Sequence, residues 1–139
     1  MRVFVDTNLW AYRLDRREIH KGQVIKTWLQ QLAQDNEIVI STQVLIELRA
    51  VMTRKLQPSL SAADCRQALD ALAQFEVVPT DATLVLDAHE LAEAHQISWF
   101  DALILEAAIR SHCAVLYSED FNGGQQFGSL AIINPLKVA

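Results

Sequence analysis

Arg2-Val3-Phe4-Val5-Asp6-Thr7-Asn8 is the stretch that decides how this chain is read. Three β-branched or aromatic residues in a row make a short buried strand, and an acid follows where the strand must end. From there outward, residues 8–15 form a short helix and residues 20–34 a longer one, with Val24, Ile25, Trp28, Leu29 and Leu32 at helical spacing. Residues 37–40 are a second strand. Ser41 or Thr42 caps a helix running to about residue 56, stopped by Pro58. Ser61 and Asp64 open a helix to about residue 74, and residues 75–78 are a third strand ended by Pro79. An amphipathic helix over 81–95 and a nearly all-apolar one over 99–111 precede a fourth strand at 114–117. A fifth follows at 130–133, after a loop holding Gly123, Gly124 and Gly128. This alternation predicts an α/β chain: one domain over residues 1–139, built as a three-layer α/β/α sandwich around a mostly parallel five-stranded sheet.

In open α/β sheets, ligands bind beyond the carboxyl ends of the strands. Four acidic residues are expected there. Asp6 directly follows the first strand, and Asp120 follows the fourth by three residues. Glu47 lies in the second turn of the helix leaving the second strand, three residues from Val44 and so beside the apolar stripe. Asp101 opens the helix that returns to the fourth strand, which puts that helix's start at the same edge. Each residue has a plainer explanation: Asp6 as a helix cap, Glu47 as surface, Asp101 in a capping box with Ser98, Asp120 as turn chemistry. Their agreement on one edge is what points to a site. Two like charges about 4 Å apart repel by roughly 4 kcal/mol at an effective dielectric near 20. A divalent cation is the simplest guest for such a cluster, and all-oxygen ligands suit Mg²⁺ or Mn²⁺ rather than zinc. Glu106 is the contrast, four residues from Arg110 and read as a structural ion pair.

Composition excludes more than it selects. Hydrophobic residues make up 51% and charged residues 21%, which excludes disorder. The early Asp6 argues against a signal peptide, and no apolar run approaches the ~20 residues of a membrane span, so a cytoplasmic protein is expected. Cys65 and Cys113 stand alone, and neither a disulfide framework nor a zinc site follows. Net charge is −5, but without the four acids 13 acidic residues face 12 basic ones, so the excess acidity is largely the site. Basic residues gather only at Arg13, Arg16, Arg17, Lys21 and Lys26, and at Arg49, Arg54 and Lys55, which solvated helix faces explain as well as a nucleic-acid footprint.

The order of motifs then resembles that of PIN domains: Asp6-Thr7-Asn8 after the first strand, Glu47 within residues 41–48, Trp99-Phe100-Asp101-Ala102, and Ser118-Glu119-Asp120-Phe121. The near-terminal Asn134-Pro135 is similar to the ending of many stand-alone members, the VapC-type toxins. The resemblance covers the whole chain. It implies a metal-dependent ribonuclease in which Asp6, Glu47, Asp101 and Asp120 are the acidic set, hydrolysing RNA to a 5′-phosphate and a 3′-hydroxyl. Asp6 and Asp101 are expected to hold the ion most directly, with Thr7, Asn8 and Ser118 orienting the carboxylates or simply capping. A small antitoxin that inserts a basic side chain among the acids is implied, as is a homodimer. Leu45, Leu48 and Met52 offer a surface for either partner, or belong to the core.

Rival readings are an inactive PIN-like binding module, a housekeeping RNA-processing nuclease, and aspartyl-phosphate chemistry, for which Asp6-Thr7-Asn8 lacks the needed acidic neighbours. His89 and His95 lie on different helix faces and make no zinc pair. Trp10, Trp28, Trp99 and Phe100 are able to stack on bases, although core packing accounts for such residues more often.

Overall fold

The computed structural model describes residues 1–121 and 126–137. Strands β1 (Arg2–Val5), β2 (Glu37–Ser41), β3 (Glu76–Val78), β4 (Val115–Tyr117), β5 (Gln126–Phe127) and β6 (Leu130–Ile133) form one sheet in the order β3-β2-β1-β4-β6-β5. All pairings are parallel except β5 with β6. The sheet therefore has six strands where the sequence suggested five. The extra strand is a two-residue antiparallel return through Gly128, whose φ of +61° suits the tight turn between Phe127 and its partner Leu130. Gly123 and Gly124 lie outside the described residues.

The helices are α1 (Thr7–Leu14), α2 (Ile19–Asp35), α3 (Thr42–Ala50), α4 (Ala62–Leu72), α5 (Ala82–His95) and α6 (Trp99–Arg110). Crossovers between parallel strands are right-handed. The chain steps from β1 to β2 to β3 in one direction, which puts α1–α4 on one face. It then recrosses the sheet to β4, which puts α5 and α6 on the other. β1 thus lies where the winding reverses, with β2 on one side and β4 on the other. The core is built from Val3, Phe4 and Val5 of β1, Val39 and Ile40 of β2 and Leu116 of β4, covered by Leu9, Leu48, Met52, Leu84 and Leu105. Leu48 and Met52 are wholly buried, so neither belongs to a partner surface; of the expected apolar patch Leu45 stays half-exposed.

Two local expectations change. The helix expected to reach residue 56 is α-helical only to Ala50 and continues as a π-type turn over Val51–Lys55. Thr53 there turns its hydroxyl back onto the Arg49 carbonyl at 2.9 Å, a bond that competes with regular winding. Arg110 does not pair with Glu106: it reaches Asp81 at 3.2 Å and Asp87 at 3.0 Å, tying α6 to α5. Glu106 is left half-buried, its carboxyl pushed up by burial and by Asp87, with Arg110 only partly opposing.

Candidate active site

Beyond the carboxyl ends of β1, β2 and β4 opens a cavity of about 360 Å³, lined by Asp6, Thr7, Asn8, Glu47, Asp101 and Asp120 together with Lys55 and Phe100. All four expected acids line it. Three larger grooves lie elsewhere among the described residues, but the biggest of them, about 660 Å³ between α3 and α4, is lined by Leu45, Ile46 and Leu69 with arginines and gathers no carboxylate cluster.

The first strand delivers Asp6, whose backbone N–H continues the ladder by donating to the Tyr117 carbonyl of β4 at 3.0 Å. Its side chain is 3% exposed. Oδ1 accepts from the Thr7 backbone N–H at 2.7 Å, and Oδ2 accepts from the Ser118 hydroxyl at 2.7 Å. Asp6 thus caps α1 and also lines the cavity. Ser118, fully buried after β4, also accepts from the Asp120 backbone N–H at 3.1 Å. One hydroxyl therefore couples the two strand ends. Thr7 donates its hydroxyl to Glu47 Oε1 at 2.9 Å, and Gln43, one turn earlier on α3, approaches Oε2 at 3.3 Å. Gln43 also donates to the Phe100 carbonyl at 3.1 Å, joining α3 to the start of α6. There Ser98 accepts from the Asp101 backbone N–H at 3.4 Å. The Asn8 amide lies near enough to Asp120 to favour its charged form, yet neither of its buried polar atoms has a partner at hydrogen-bond distance.

Two residues matter that the sequence did not single out. Gln43 is one; its signal was the four-residue spacing to Glu47. Tyr12 is the other. Its hydroxyl donates to Glu119, beside Asp120, and Lys21 sits over its ring at 3.8 Å, so α1 pins the turn that carries Asp120. No sequence signal linked these positions.

Charge in the cavity is poorly compensated. Burial is the largest cause raising the Asp6 carboxyl to about 7; Ser118 and the Thr7 N–H oppose it, while Asp120 and Glu47 add repulsion. Asp120 is also pushed up, chiefly by desolvation against the wall, with Asp101 and Glu119 contributing. No three acidic, histidine or cysteine side chains among the described residues stand close enough to share one ion as placed. The residues still fit a hard divalent cation by chemistry. The donors are all oxygen, and the anions outnumber Lys55.

Residues 3–122 match the model of the PIN domain, and the chain belongs to that family. The fold is also similar to VapBC2 from Rickettsia felis bound to a DNA fragment from its promoter, at TM-score 0.66 and 22% identity, covering 95% of this chain and 97% of that one. It is similar to VapC20 of Mycobacterium tuberculosis, a sarcin–ricin loop cleaving toxin, at TM-score 0.60 and 21% identity over 85% of this chain and 89% of that one. A toxin–antitoxin complex from Klebsiella pneumoniae matches at TM-score 0.65 and 16% identity over 93% and 95%. At these identities the likeness is one of fold. Among curated proteins none matches the chain.

Proposed function

We propose that the chain is a metal-dependent endoribonuclease acting as the toxin of a toxin–antitoxin pair. The observation that carries this reading is the Ser118 hydroxyl bridging Asp6 and Asp120 in a cavity that Glu47 and Asp101 also line. Membership of the PIN family supports the nuclease, and fold neighbours described as toxins or toxin–antitoxin complexes support the role. Mg²⁺ or Mn²⁺ held by Asp6 and Asp101, with Glu47 and Asp120 completing its surroundings directly or through water, would offset phosphate charge and supply an attacking water of lowered pKa.

The chain's own groups prepare that arrangement. Asp6 must give up a proton to serve as a ligand, and both of its hydrogen-bond donors favour the charged form. Glu47 is held from two sides by Thr7 and Gln43, which fixes its direction before any substrate arrives. Hydrolysis would leave a 5′-phosphate and a 3′-hydroxyl. The partners are an antitoxin that places a basic side chain among the acids and a second copy of the chain. The groove between α3 and α4, with Leu45 and the exposed Ile46, is available to either. Light scattering tests the dimer and co-purification the antitoxin.

The central test is RNA cleavage with Mg²⁺, with Mn²⁺ and with EDTA, alongside Asp6→Asn and Asp101→Asn. Cleavage should need the cation and fall by on the order of 10²–10³-fold in both variants; cleavage that survives chelation and both substitutions overturns the reading.

A further inference from the structure

Phe100 lines the acidic cavity and is nonetheless 63% exposed, and its neighbour Trp99 is 40% exposed. Trp10, by contrast, is buried against Phe75, and Trp28 packs edge-on against Tyr117. A large aromatic left uncovered in the cavity wall, with a second exposed one next to it in sequence, is unusual in a chain that packs its other indoles. The rim is also held in place: the Phe100 carbonyl accepts from Gln43, and α6 starts on its Ser98 cap. Lys55 lines the same cavity and is the one cation among its described residues. The π-type turn of Val51–Lys55 brings it there, and Arg17 reaches the Lys55 carbonyl at 3.4 Å.

An exposed ring offers a face on which any base can stack, whereas a base locked in a duplex has no free face to give. A lone ammonium among carboxylates suits a phosphate close to a cation. The Phe100 ring itself reads no base identity, because it offers no hydrogen bond. We infer that Phe100, extended by Trp99, stacks an unpaired base of the RNA while Lys55 takes a neighbouring phosphate, so that this rim selects a splayed single-stranded segment. The inference rests on the nuclease reading for its substrate but not for its binding test. Phe100 and Lys55 are positioning residues here, and the acids remain the reacting centre.

Binding is measured by fluorescence anisotropy of a short labelled RNA strand, alone and annealed to its complement, with Mg²⁺ in an Asp6→Asn background. Cleavage kinetics are measured in the otherwise native chain. Phe100→Ala should weaken single-strand binding roughly 10-fold, within the range of one lost stacking contact, and Phe100→Trp should restore it. The loss should fall on KM with kcat nearly unchanged. Lys55→Ala should weaken binding less and lower the salt slope by about 0.7, the share of one phosphate on a single strand. RNA should quench fluorescence in the native chain more than in Trp99→Phe. Duplex bound as tightly as single strand, or a Phe100→Ala effect below about threefold, overturns the inference. If cleavage is normal alongside that flat binding result, the stacking rim falls and the nuclease stands. If Phe100→Ala weakens binding while the native chain cleaves nothing, the nuclease falls and the stacking rim stands.

Discussion

Helices α4 and α6 begin with the same four-residue device. Ser61 accepts from the Asp64 backbone N–H at 3.1 Å, and Ser98 accepts from the Asp101 backbone N–H at 3.4 Å. Locally the two starts are nearly interchangeable, yet their surroundings are opposite. Asp64 lines a groove with Arg13, Arg16 and Lys26, whereas Asp101 faces a cavity with Asp6, Glu47 and Asp120. The first acid shares its groove with three cations, and the second shares its cavity with three anions and Lys55. Capping chemistry sets the helix start, and topology decides which charges share the space that its acid faces.

Four experiments press on that contrast. The largest difference is expected in catalysis: Asp101→Asn should lower RNA cleavage by on the order of 10²–10³-fold, and Asp64→Asn should leave it nearly unchanged, read as kcat under saturating RNA. Next, Ser118→Ala should weaken divalent-ion binding by about 10–100-fold in calorimetry, because Asp6 loses a donor that favours its charged form.

The third experiment reads the stability of the metal-free protein. The folded-state pKa of Asp6, about 7, lies above its ordinary 3.8, so the folded chain binds the proton more tightly. The stability this contributes is fully present below pH 4 and is lost as pH rises through about 7. Asp6→Asn should therefore raise stability at pH 8 by on the order of 2–4 kcal/mol and flatten the decline seen in denaturant titrations between about pH 4 and 7. Mg²⁺ should flatten it in the native chain too. A native profile that instead rises with pH would break the assignment of uncompensated charge. The smallest effects belong to the caps: Ser61→Ala and Ser98→Ala should each cost about 1 kcal/mol, but only the second should also slow cleavage.

Much of the fold and of the placement of the candidate site is legible in the sequence, for a definable reason. β1, β2 and β4 are short apolar runs that end abruptly, so the residues after them are fixed at one edge by chain direction alone. Asp6, Glu47, Asp101 and Asp120 can all be placed that way. Thr7, Asn8 and Ser118, expected as orienting groups, each stand against an acid. What stays hidden depends on geometry with no sequence period. β5 has two residues, too few for an alternation to register. The π-type turn after Ala50 has the composition of ordinary helix, and only the Thr53 back-bond marks it. Arg110 takes Asp81 and Asp87 over Glu106 because the neighbouring helix offers two carboxylates where its own offers one. The exposure of Phe100 contradicts the usual fate of an aromatic in an apolar helix, and it is informative for that reason.

At the far rim of the sheet, Arg2 gathers Glu37 of β2, Glu76 of β3 and the Ser111 carbonyl just past α6. Met1 beside it is largely open to solvent. β1 has four residues, so Met1 and Asp6 at the mouth stand apart by roughly 17 Å along the strand, five steps at about 3.3 Å per residue. A tether attached at Met1 would therefore hold the molecule by its back. On a sensor chip or a bead the opening would point into the flow, and macromolecules could be offered to it without interference from the linker.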